Sequence, residues 1–471
     1  PMMAHFRSVI LMGARPLLWG AASEAAAKPG SDPINPLLVQ LGMVLYRSYD
    51  ISPPETKRTA DGCGRGVRSA TLTAYPTPRI HGVSRRARLA SVAERARVPN
   101  GVSLRQNHFS VLIAQAFLLT GCGVLPAAAL DARGADLLAQ SVRLMDGRYD
   151  DRAALIRSLS GNGPSPHLVR ESALYAVGLL MRDHTGDRDR AARILDAVLR
   201  QQIYEPEERW HGTFYKFAED RHPPRTARLW TDYDPNWREF IGTTFQVILT
   251  RFRDRIPKEL AARMEKSIVL ALEGEIHEAR LKPSYTNIAL MYGAIADYAG
   301  NRLNRPDLAR RAAAWTESVY REFKEHGAFP EFNSPTYYGP DLFGLAMWRA
   351  HGSTPRMRAI GAEMEATLWR SIAAFYHAGL RNMSGPYDRS YGMDMRRYVS
   401  VTGLLLRTVL DAEQAPFPPF EIGVDHANDL PYLPLTLAEP TQIPAGAMES
   451  FRSFQGERLV RRELRRVEHD R

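Results

Sequence analysis

The chain has 471 residues, of which 44% are hydrophobic, so it is long enough for two or three domains and can bury a large core. Its formal net charge of +10 would suggest an acidic partner, but residues 131–450 hold 40 Lys and Arg against 42 Asp and Glu. The excess of positive charge lies in residues 1–130 and 451–471. A near-neutral body argues against a nucleic-acid-binding protein. Neither cysteine, Cys63 or Cys122, lies in this body, which excludes a disulfide framework or a cysteine-based metal site there.

Residues 1–104 alternate Arg-rich stretches with Gly-, Pro- and Ala-rich stretches and show no sustained periodicity. This pattern predicts an N-terminal extension of low order. A small helix at residues 36–46 is the alternative.

Residues 105–129 have the features of a bacterial secretion signal. Arg105 precedes an apolar run at residues 109–119, and this run is too short to span a bilayer. The tetrapeptide Leu-Thr-Gly-Cys that ends at Cys122 resembles a lipobox, in which the cysteine is lipidated, whereas residues 127–129 fit an ordinary signal-peptidase site. We therefore expect an exported protein, located in the periplasm or anchored to the outer membrane through Cys122. A buried core helix is the alternative.

Residues 130–414 show the apolar spacing of successive amphipathic helices, so we predict an all-α fold. The predicted segments are 131–158 for one or two helices, 167–182 with 188–201, 235–250 with 257–276, 287–298 with 306–323, 340–350 with 356–378, and 393–410 as the opening of a further hairpin. Serial hairpins form either an open solenoid or a closed α/α toroid, and we expect an incomplete toroid or a barrel of five or six hairpins. Residues 415–471 are richer in Gly and Pro at their start and predict a linker into a β-rich, truncated C-terminal domain.

Four loops that combine polar and aromatic residues precede predicted helices, at residues 232–240, 283–290, 331–339 and 385–395. Their spacing of roughly 50 residues indicates a helical-hairpin repeat. A fifth stretch, residues 204–233, is rich in aromatic side chains, and a loop of this length is usually functional when it is ordered. In a toroid these loops converge at one opening. The residues expected around that cleft are Trp210, His211, Asn236, Trp237, Asn287, Asn333, Tyr337, Tyr338, Tyr387, Asp388, Arg389 and Tyr391.

The export signal, the helical hairpins and the aromatic loops together resemble the α/α-toroid polysaccharide lyases, including the heparinase II/III-like, alginate lyase and hyaluronate lyase groups. The likeness covers roughly residues 131–415 and is architectural. The paired Asn-Asn-His motif of some alginate lyases is absent, because Asn287 and Asn333 each stand without an adjacent His. The resemblance implies that the protein cleaves a uronic-acid polymer by removing the proton alpha to the carboxylate and expelling the linked sugar.

This reaction requires donors for the carboxyl group, a base and an acid. The resemblance implies that Asn287 or Asn333 holds the carboxyl group and that Tyr337 or Tyr338 acts as acid and base in turn. Arg389 would lower the pKa of the tyrosine and bind the substrate carboxylate.

His211 is a candidate for a separate base, and the substrate would be an acidic polysaccharide or oligosaccharide. Substrate binding is predicted for Trp210, Asn236, Trp237, Glu331, Asn333, Tyr387, Asp388 and Tyr391. No metal-ligand spacing such as His-Glu-x-x-His occurs, so we expect no metal and no cofactor.

Each residue has a structural alternative. The asparagines suit helix starts and turns, the aromatic residues suit a core, and Asp388 with Arg389 suits a surface ion pair. Two other functions remain open: a non-catalytic glycan-binding lipoprotein or helical scaffold, and a glycoside hydrolase with paired carboxylates. The carboxylates available to a hydrolase are Glu331, Asp388, Asp234, Glu239 and Asp394.

Overall fold

Helical hairpins follow one another along the chain in this computed structural model, which describes residues 5–12, 130–161 and 163–465. The helices are α1 (Ala132–Asp146), α2 (Val169–Arg182), α3 (Asp187–Leu199), α4 (Trp237–Arg251), α5 (Lys258–Glu278), α6 (Thr286–Arg302), α7 (Pro306–His326), α8 (Tyr338–His351), α9 (Pro355–Phe375), α10 (Val401–Val409), α11 (Tyr432–Ala438) and α12 (Ala445–Arg452). This content confirms the predicted all-α class.

The strands are short and lie outside the helical hairpins. They are β1 (His5–Met12), β2 (Tyr149–Asp150), β3 (Leu155–Arg157), β4 (His167–Leu168), β5 (Tyr376–His377), β6 (Asn382–Met383) and β7 (Arg458–Arg465). Strands β2, β3 and β4 form a small antiparallel sheet, β5 pairs with β6, and β1 pairs antiparallel with β7. Strand β1 lies within the predicted N-terminal extension. The rest of that extension, the predicted export signal at residues 105–129 and the lipidation site Cys122 lie outside the described residues.

Capping groups fix several helix boundaries at the positions that the sequence pattern indicates. The Asp131 carboxylate accepts a hydrogen bond from the Gly134 amide at 2.7 Å and begins α1. The Thr354 hydroxyl accepts one from the Met357 amide at 3.1 Å and begins α9. These side chains occupy amide donors that have no partner within the helix, so they stabilise each helix start by about 1 kcal/mol.

Two sets of helices differ in burial. Helices α2, α4, α6 and α8 are buried along most of their length, whereas α3, α5, α7 and α9 each keep an exposed face. Helix α2 contacts α4, α4 contacts α6, α6 contacts α8, and α8 contacts α10. Helix α10 then contacts α11, and α11 contacts α2. The series of neighbours therefore returns to its first member, and apolar side chains fill the space between the two sets of helices.

Close packing joins the start of α8 to the start of α10. A Cβ at Gly339 would lie 2.4 Å from the backbone nitrogen of Thr402, so only glycine fits this position without a shift of the backbone. The two polar loops that precede these helices are thereby held side by side.

Residues 131–158, predicted to form one or two helices, form one helix followed by β2 and β3. Two other segments differ from the sequence prediction. Helix α10 begins at Val401 because the Ser400 hydroxyl caps the Gly403 amide at 3.0 Å, so residues 393–400 remain a loop. The helical body also continues past the boundary predicted at residue 414, because α11 packs against α1, α2 and α10.

A buried carboxylate ties helices together beyond α11. Glu439 is 1% exposed and accepts hydrogen bonds from Arg251 Nε and Nη2 at 2.8 and 3.0 Å, and its Oε1 lies 2.8 Å from His351 Nε2. Arg251 ends α4 and His351 ends α8, so both helices are fixed at their C-terminal ends. Within residues 130–161 and 163–465, every helix is too short or too polar to cross a lipid bilayer.

Candidate active site

The Glu331 carboxylate joins three of the polar loops that were predicted to converge. Its Oε1 accepts a hydrogen bond from Arg389 Nη1 at 2.6 Å, and its Oε2 accepts one from the Thr286 hydroxyl. The Asn287 amide nitrogen lies 3.4 Å from the same Oε2. Thr286 and Asn287 begin α6, Glu331 lies in the loop before α8, and Arg389 lies in the loop before α10. These two loops and the start of α6 therefore meet around one carboxylate, which is 8% exposed.

The same region holds a second buried carboxyl group. Burial raises the pKa of Glu331, although Thr286 and Arg389 act in the opposite direction. Asp341, in the first turn of α8, is fully buried, and no described residue forms a hydrogen bond to either of its oxygens. Burial and the charge of Glu331 raise the pKa of Asp341 well above its ordinary value. Ionisation of the Asp341 carboxyl group is thereby disfavoured.

Two phenols extend the site toward solvent. Arg389 Nη2 donates a hydrogen bond to the Tyr337 hydroxyl at 2.7 Å, and the guanidinium carbon lies 4.4 Å from the Tyr337 ring centroid. The Tyr337 hydroxyl is also hydrogen-bonded to the Tyr391 hydroxyl. Tyr391 is 51% exposed, and the Arg389 side chain is 53% exposed. A cation and a phenol are therefore both accessible at the surface of the cluster.

The pKa of Tyr337 differs from the prediction. We expected Arg389 to lower it, and Arg389 does act in that direction. Burial and the hydrogen bond with Tyr391 outweigh this effect, so the pKa of Tyr337 is raised. The raised pKa favours the neutral phenol of Tyr337 over its phenolate.

An imidazole lies directly against the exposed phenol. The His426 ring stacks on the Tyr391 ring with centroids 4.6 Å apart and an interplanar angle of 5°. Its Nδ1 lies 3.8 Å from Oδ2 of Asp429, and Oδ1 of Asp429 lies 3.5 Å from Arg170 Nη2. Neither His426 nor Asp429 was predicted as a site residue, because the Gly- and Pro-rich composition at the start of residues 415–471 indicated a linker. No local motif marks either residue, and only the fold brings them to the site.

A second group of residues borders the Glu331 cluster on the side of α4. The Asn236 amide donates a hydrogen bond to the Tyr285 hydroxyl at 3.3 Å, and the Arg280 guanidinium lies 5.6 Å from the Tyr285 ring centroid. Burial raises the pKa of Tyr285, and the charges of Asp234 and Glu331 add to this effect. Both carboxyl groups therefore act electrostatically on the Tyr285 phenol. It belongs to the polar loop that indicated Asn287, so composition alone would have found it.

Tyr338 and Asn333, both predicted to contact substrate, are buried and held by hydrogen bonds within the protein. Tyr338 is 0% exposed, and its hydroxyl accepts a hydrogen bond from the Asn333 backbone amide at 2.7 Å. The Asn333 side-chain amide donates to the carbonyl oxygens of Ser384 and Pro386 at 2.7 and 2.9 Å. Tyr338 is the first residue of α8 and its ring packs into the hydrophobic core. Together they hold the loop that presents Tyr337.

Trp210 and His211 are likewise withdrawn from the site. Trp210 is 3% exposed and its indole nitrogen donates to Glu205 at 2.7 Å. His211 is 5% exposed, its Nδ1 accepts from the Glu205 backbone amide at 3.1 Å, and burial lowers its pKa. Trp210 belongs to a small cluster of its own with Ile203 and Tyr233. The aromatic residues of the loop at residues 204–233 thus include a small buried cluster. Composition alone does not distinguish such a cluster from a binding surface.

The remaining predicted residues vary in accessibility. Trp237 is 6% exposed and lies 4.7 Å from the Arg170 guanidinium, so it supports Arg170 and has little surface for a ligand. Tyr387 is half-buried and its hydroxyl donates to the Met383 carbonyl. Asp388 is exposed beside Arg389, and its backbone amide donates to the Phe332 carbonyl at 2.9 Å.

The five carboxylates considered for hydrolysis also differ in burial and in their partners. Asp388 is exposed, as described above. Glu239 is fully buried, with Arg280 Nη2 at 3.6 Å. Asp394 pairs with Arg396 at 2.8 Å, which holds the pKa of Asp394 low against the effect of its burial. Asp234 and Glu331 both retain a raised pKa caused by burial.

The described residues contain no group of three or more His, Cys, Asp or Glu side chains that is able to hold a metal ion. The fold and the site define an all-α protein of serial helical hairpins with a cluster of acidic, basic and phenolic side chains where its buried helices begin. A family profile described as Domain of unknown function (DUF8769) matches residues 135–439, so this chain belongs to that family. The match covers all the site residues described above, which are Thr286, Asn287, Glu331, Tyr337, Asp341, Arg389, Tyr391, His426 and Asp429. Comparison with curated proteins and with solved structures gave no match.

Proposed function

We propose that this protein is a polysaccharide lyase of the α/α-toroid type, which cleaves a uronic-acid-containing polysaccharide by β-elimination. The arrangement of Arg389, Tyr337 and Tyr391 beside Glu331 carries the proposal, because it joins an accessible cation to two hydrogen-bonded phenols. The series of helix contacts that leads from α2 back to α2 supports a closed toroid. In such a toroid the loops before the inner helices share one opening.

Arg389 is the group that would bind the uronate carboxylate. Its side chain is 53% exposed, and Glu331 and Tyr337 use one Nη nitrogen each. These two contacts fix the orientation of the guanidinium and leave the rest of it open to an anion. A fixed cation at this position also stabilises the enolate-like charge that develops when the alpha proton leaves.

Because its pKa is raised, Tyr337 is a poor base. The base and the acid of the proposed reaction are therefore separate groups. A base removes the proton alpha to the carboxylate, the electron pair forms a carbon–carbon double bond, and the bond to the glycosidic oxygen breaks. A phenol then donates its proton to that oxygen. Tyr391 is the accessible phenol and Tyr337 can resupply its proton through their shared hydrogen bond. His426, stacked on Tyr391, is the base best placed to act beside it.

The experiment incubates the purified protein with a panel of polyuronates and follows the ultraviolet absorbance of the unsaturated product. We expect absorbance to rise for at least one polymer, to be lost in Tyr337→Phe and to persist in Tyr320→Phe. Tyr320 is a matched control, because its hydroxyl donates to Glu363 at 2.7 Å on the exposed side of α7. New reducing ends without absorbance would instead identify a hydrolase, and no product with any uronate would remove the proposal.

A glycoside hydrolase remains the second candidate, on one observation. Asp234 and Glu331 both act on Tyr285, and burial raises the pKa of each carboxyl group, as a general acid requires. The variant Asp234→Asn separates the two functions. A hydrolase that uses this pair would lose nearly all activity, whereas the lyase would keep most of it.

A further inference from the structure

We propose that Trp230 forms an additional sugar-binding subsite at the edge of the candidate active site, where its indole stacks on a sugar ring of the bound polysaccharide. The identity of the ligand rests on the proposed function, whereas the subsite itself rests on the geometry of the loop at residues 228–233. The residue was not among those predicted from the sequence to bind substrate.

Trp230 differs from its neighbours in exposure. Its side chain is 53% exposed, while Trp210 and Trp237 are only 3% and 6% exposed. A bare indole leaves a large apolar face in water, and such faces are typical places for a partner with an apolar side and polar edges. The carbon–hydrogen face of a sugar ring has this character.

The backbone holds this exposed position at a cost. Trp230 has φ 67°, in the left-handed region that bulky residues rarely adopt. Its amide donates to the Tyr233 carbonyl at 3.0 Å, and the Arg228 amide donates to the Asp232 carboxylate at 2.7 Å. The Tyr233 hydroxyl then donates to Glu278 at 3.2 Å, which ties the turn to α5. A strained turn fixed at three points presents the indole outward in one orientation.

Trp230 is also connected to the Glu331 cluster. The Arg280 guanidinium lies 5.9 Å from the Trp230 ring centroid and 5.6 Å from the Tyr285 ring centroid. Tyr285 immediately precedes Thr286, whose hydroxyl donates to Glu331. Arg280 and Tyr285 therefore connect the exposed indole to the loop that contacts Glu331. A polymer that binds at Arg389 and extends along this connection would place a neighbouring sugar on the indole, and the cation beside the indole favours an anionic sugar.

The test compares wild type, Trp230→Ala, Trp230→Phe and Tyr204→Ala. Tyr204 is a matched control because it is 71% exposed on the same long loop and its ring contacts His211 at 5.5 Å, away from Glu331. Affinity electrophoresis in gels that contain polyuronate measures binding, and cleavage assays with short and long oligosaccharides measure KM and kcat. Thermal melting checks that each variant is folded.

We expect Trp230→Ala to raise KM for long chains by roughly 3- to 10-fold with little change in kcat, and to leave short chains unaffected. Trp230→Phe should retain most of the binding and Tyr204→Ala all of it. The subsite is overturned if Trp230→Ala binds and cleaves as wild type does, if Tyr204→Ala loses as much, or if wild type binds no polyuronate. Trp230-dependent binding without any cleavage would support the subsite and refute the lyase. Cleavage that does not depend on Trp230 would support the lyase and refute the subsite.

Discussion

The guanidinium of Arg389 donates to the Tyr337 hydroxyl at 2.7 Å while its carbon lies 4.4 Å from the centroid of the same phenol ring. The two residues come from different loops, one before α10 and one before α8. The other Nη nitrogen of Arg389 is held by Glu331 at 2.6 Å. One cation therefore sets the positions of a carboxylate and a phenol at once, and the planar fork of arginine is what makes this geometry attainable.

Arg389→Lys should lose this double role, since an ammonium group on a flexible stem does not hold Glu331 and Tyr337 in the same orientation. In the proposed lyase, we expect kcat/KM for the cleaved polyuronate to fall by roughly 10²- to 10³-fold, the loss that follows removal of one preorganised donor. Arg396→Lys is the control, because Arg396 pairs with Asp394 in the same loop without contacting Glu331. Equal losses in the two variants would mean that loop stability, not Arg389, determines the rate.

In the proposed lyase, Tyr337→Phe should remove the phenol that resupplies the proton of Tyr391 and leave the fold intact. We expect kcat to fall by about 10²- to 10⁴-fold, as for the loss of a general acid, with KM nearly unchanged. The measurement is the rate of unsaturated product formation at saturating substrate, with a thermal melt for comparison. A variant that retains full kcat would assign the proton transfer to another residue.

Asp341→Asn tests the buried carboxyl next to Glu331. Because burial and Glu331 raise the pKa of Asp341 above its ordinary value of 3.8, the folded state holds a proton that the unfolded chain releases. This contribution to stability is present below the unfolded pKa and is lost as the pH rises through the folded pKa. The Tm of the variant should therefore increase relative to wild type from pH 4 toward neutrality.

Asp307→Asn is the control for this pH series. Asp307 is exposed and its pKa is lowered by Arg305, so the sign of its contribution is opposite. Its variant should show no gain in Tm as the pH rises. A flat Tm difference for Asp341→Asn would show that the carboxyl is not desolvated in solution.

Gly339→Ala should destabilise the protein, because the added Cβ would lie 2.4 Å from the Thr402 backbone nitrogen at the contact of α8 with α10. We expect a loss of about 1–3 kcal/mol in the free energy of unfolding, measured by urea denaturation. Gly446→Ala in α12 is the matched control, since its added Cβ would meet no atom within 4 Å. That variant should be neutral or gain up to about 1 kcal/mol from better helix propensity. A neutral Gly339→Ala would contradict the close approach of the two helices.

The helices were predictable because their signals are local. Apolar spacing gave the hairpins from α2 to α9 to within a few residues. Helix α11 was not predicted, because seven residues in a proline-rich segment carry too little periodicity. Its position depends on contacts with α2 that lie far away in the sequence.

The site was only partly predictable for a related reason. Polar loops before helices indicated Glu331, Asn287, Tyr337 and Arg389, and the structure brings these four together. Composition could not say which of two adjacent tyrosines points outward, since Tyr337 and Tyr338 differ only in where each lies relative to the first turn of α8. That choice is made by tertiary packing.

Helix α11 has a consequence for synthesis of the protein. It joins α1 and α2, the earliest helices of the body, to α10, although it is made after all of them. Contacts between such distant segments carry a large loop-closure entropy and form late. A nascent chain that has not yet released residues 432–438 from the ribosome should therefore hold folded hairpins from α2 to α9, whereas the contacts that join α10 to α2 through α11 should form only near the end of translation.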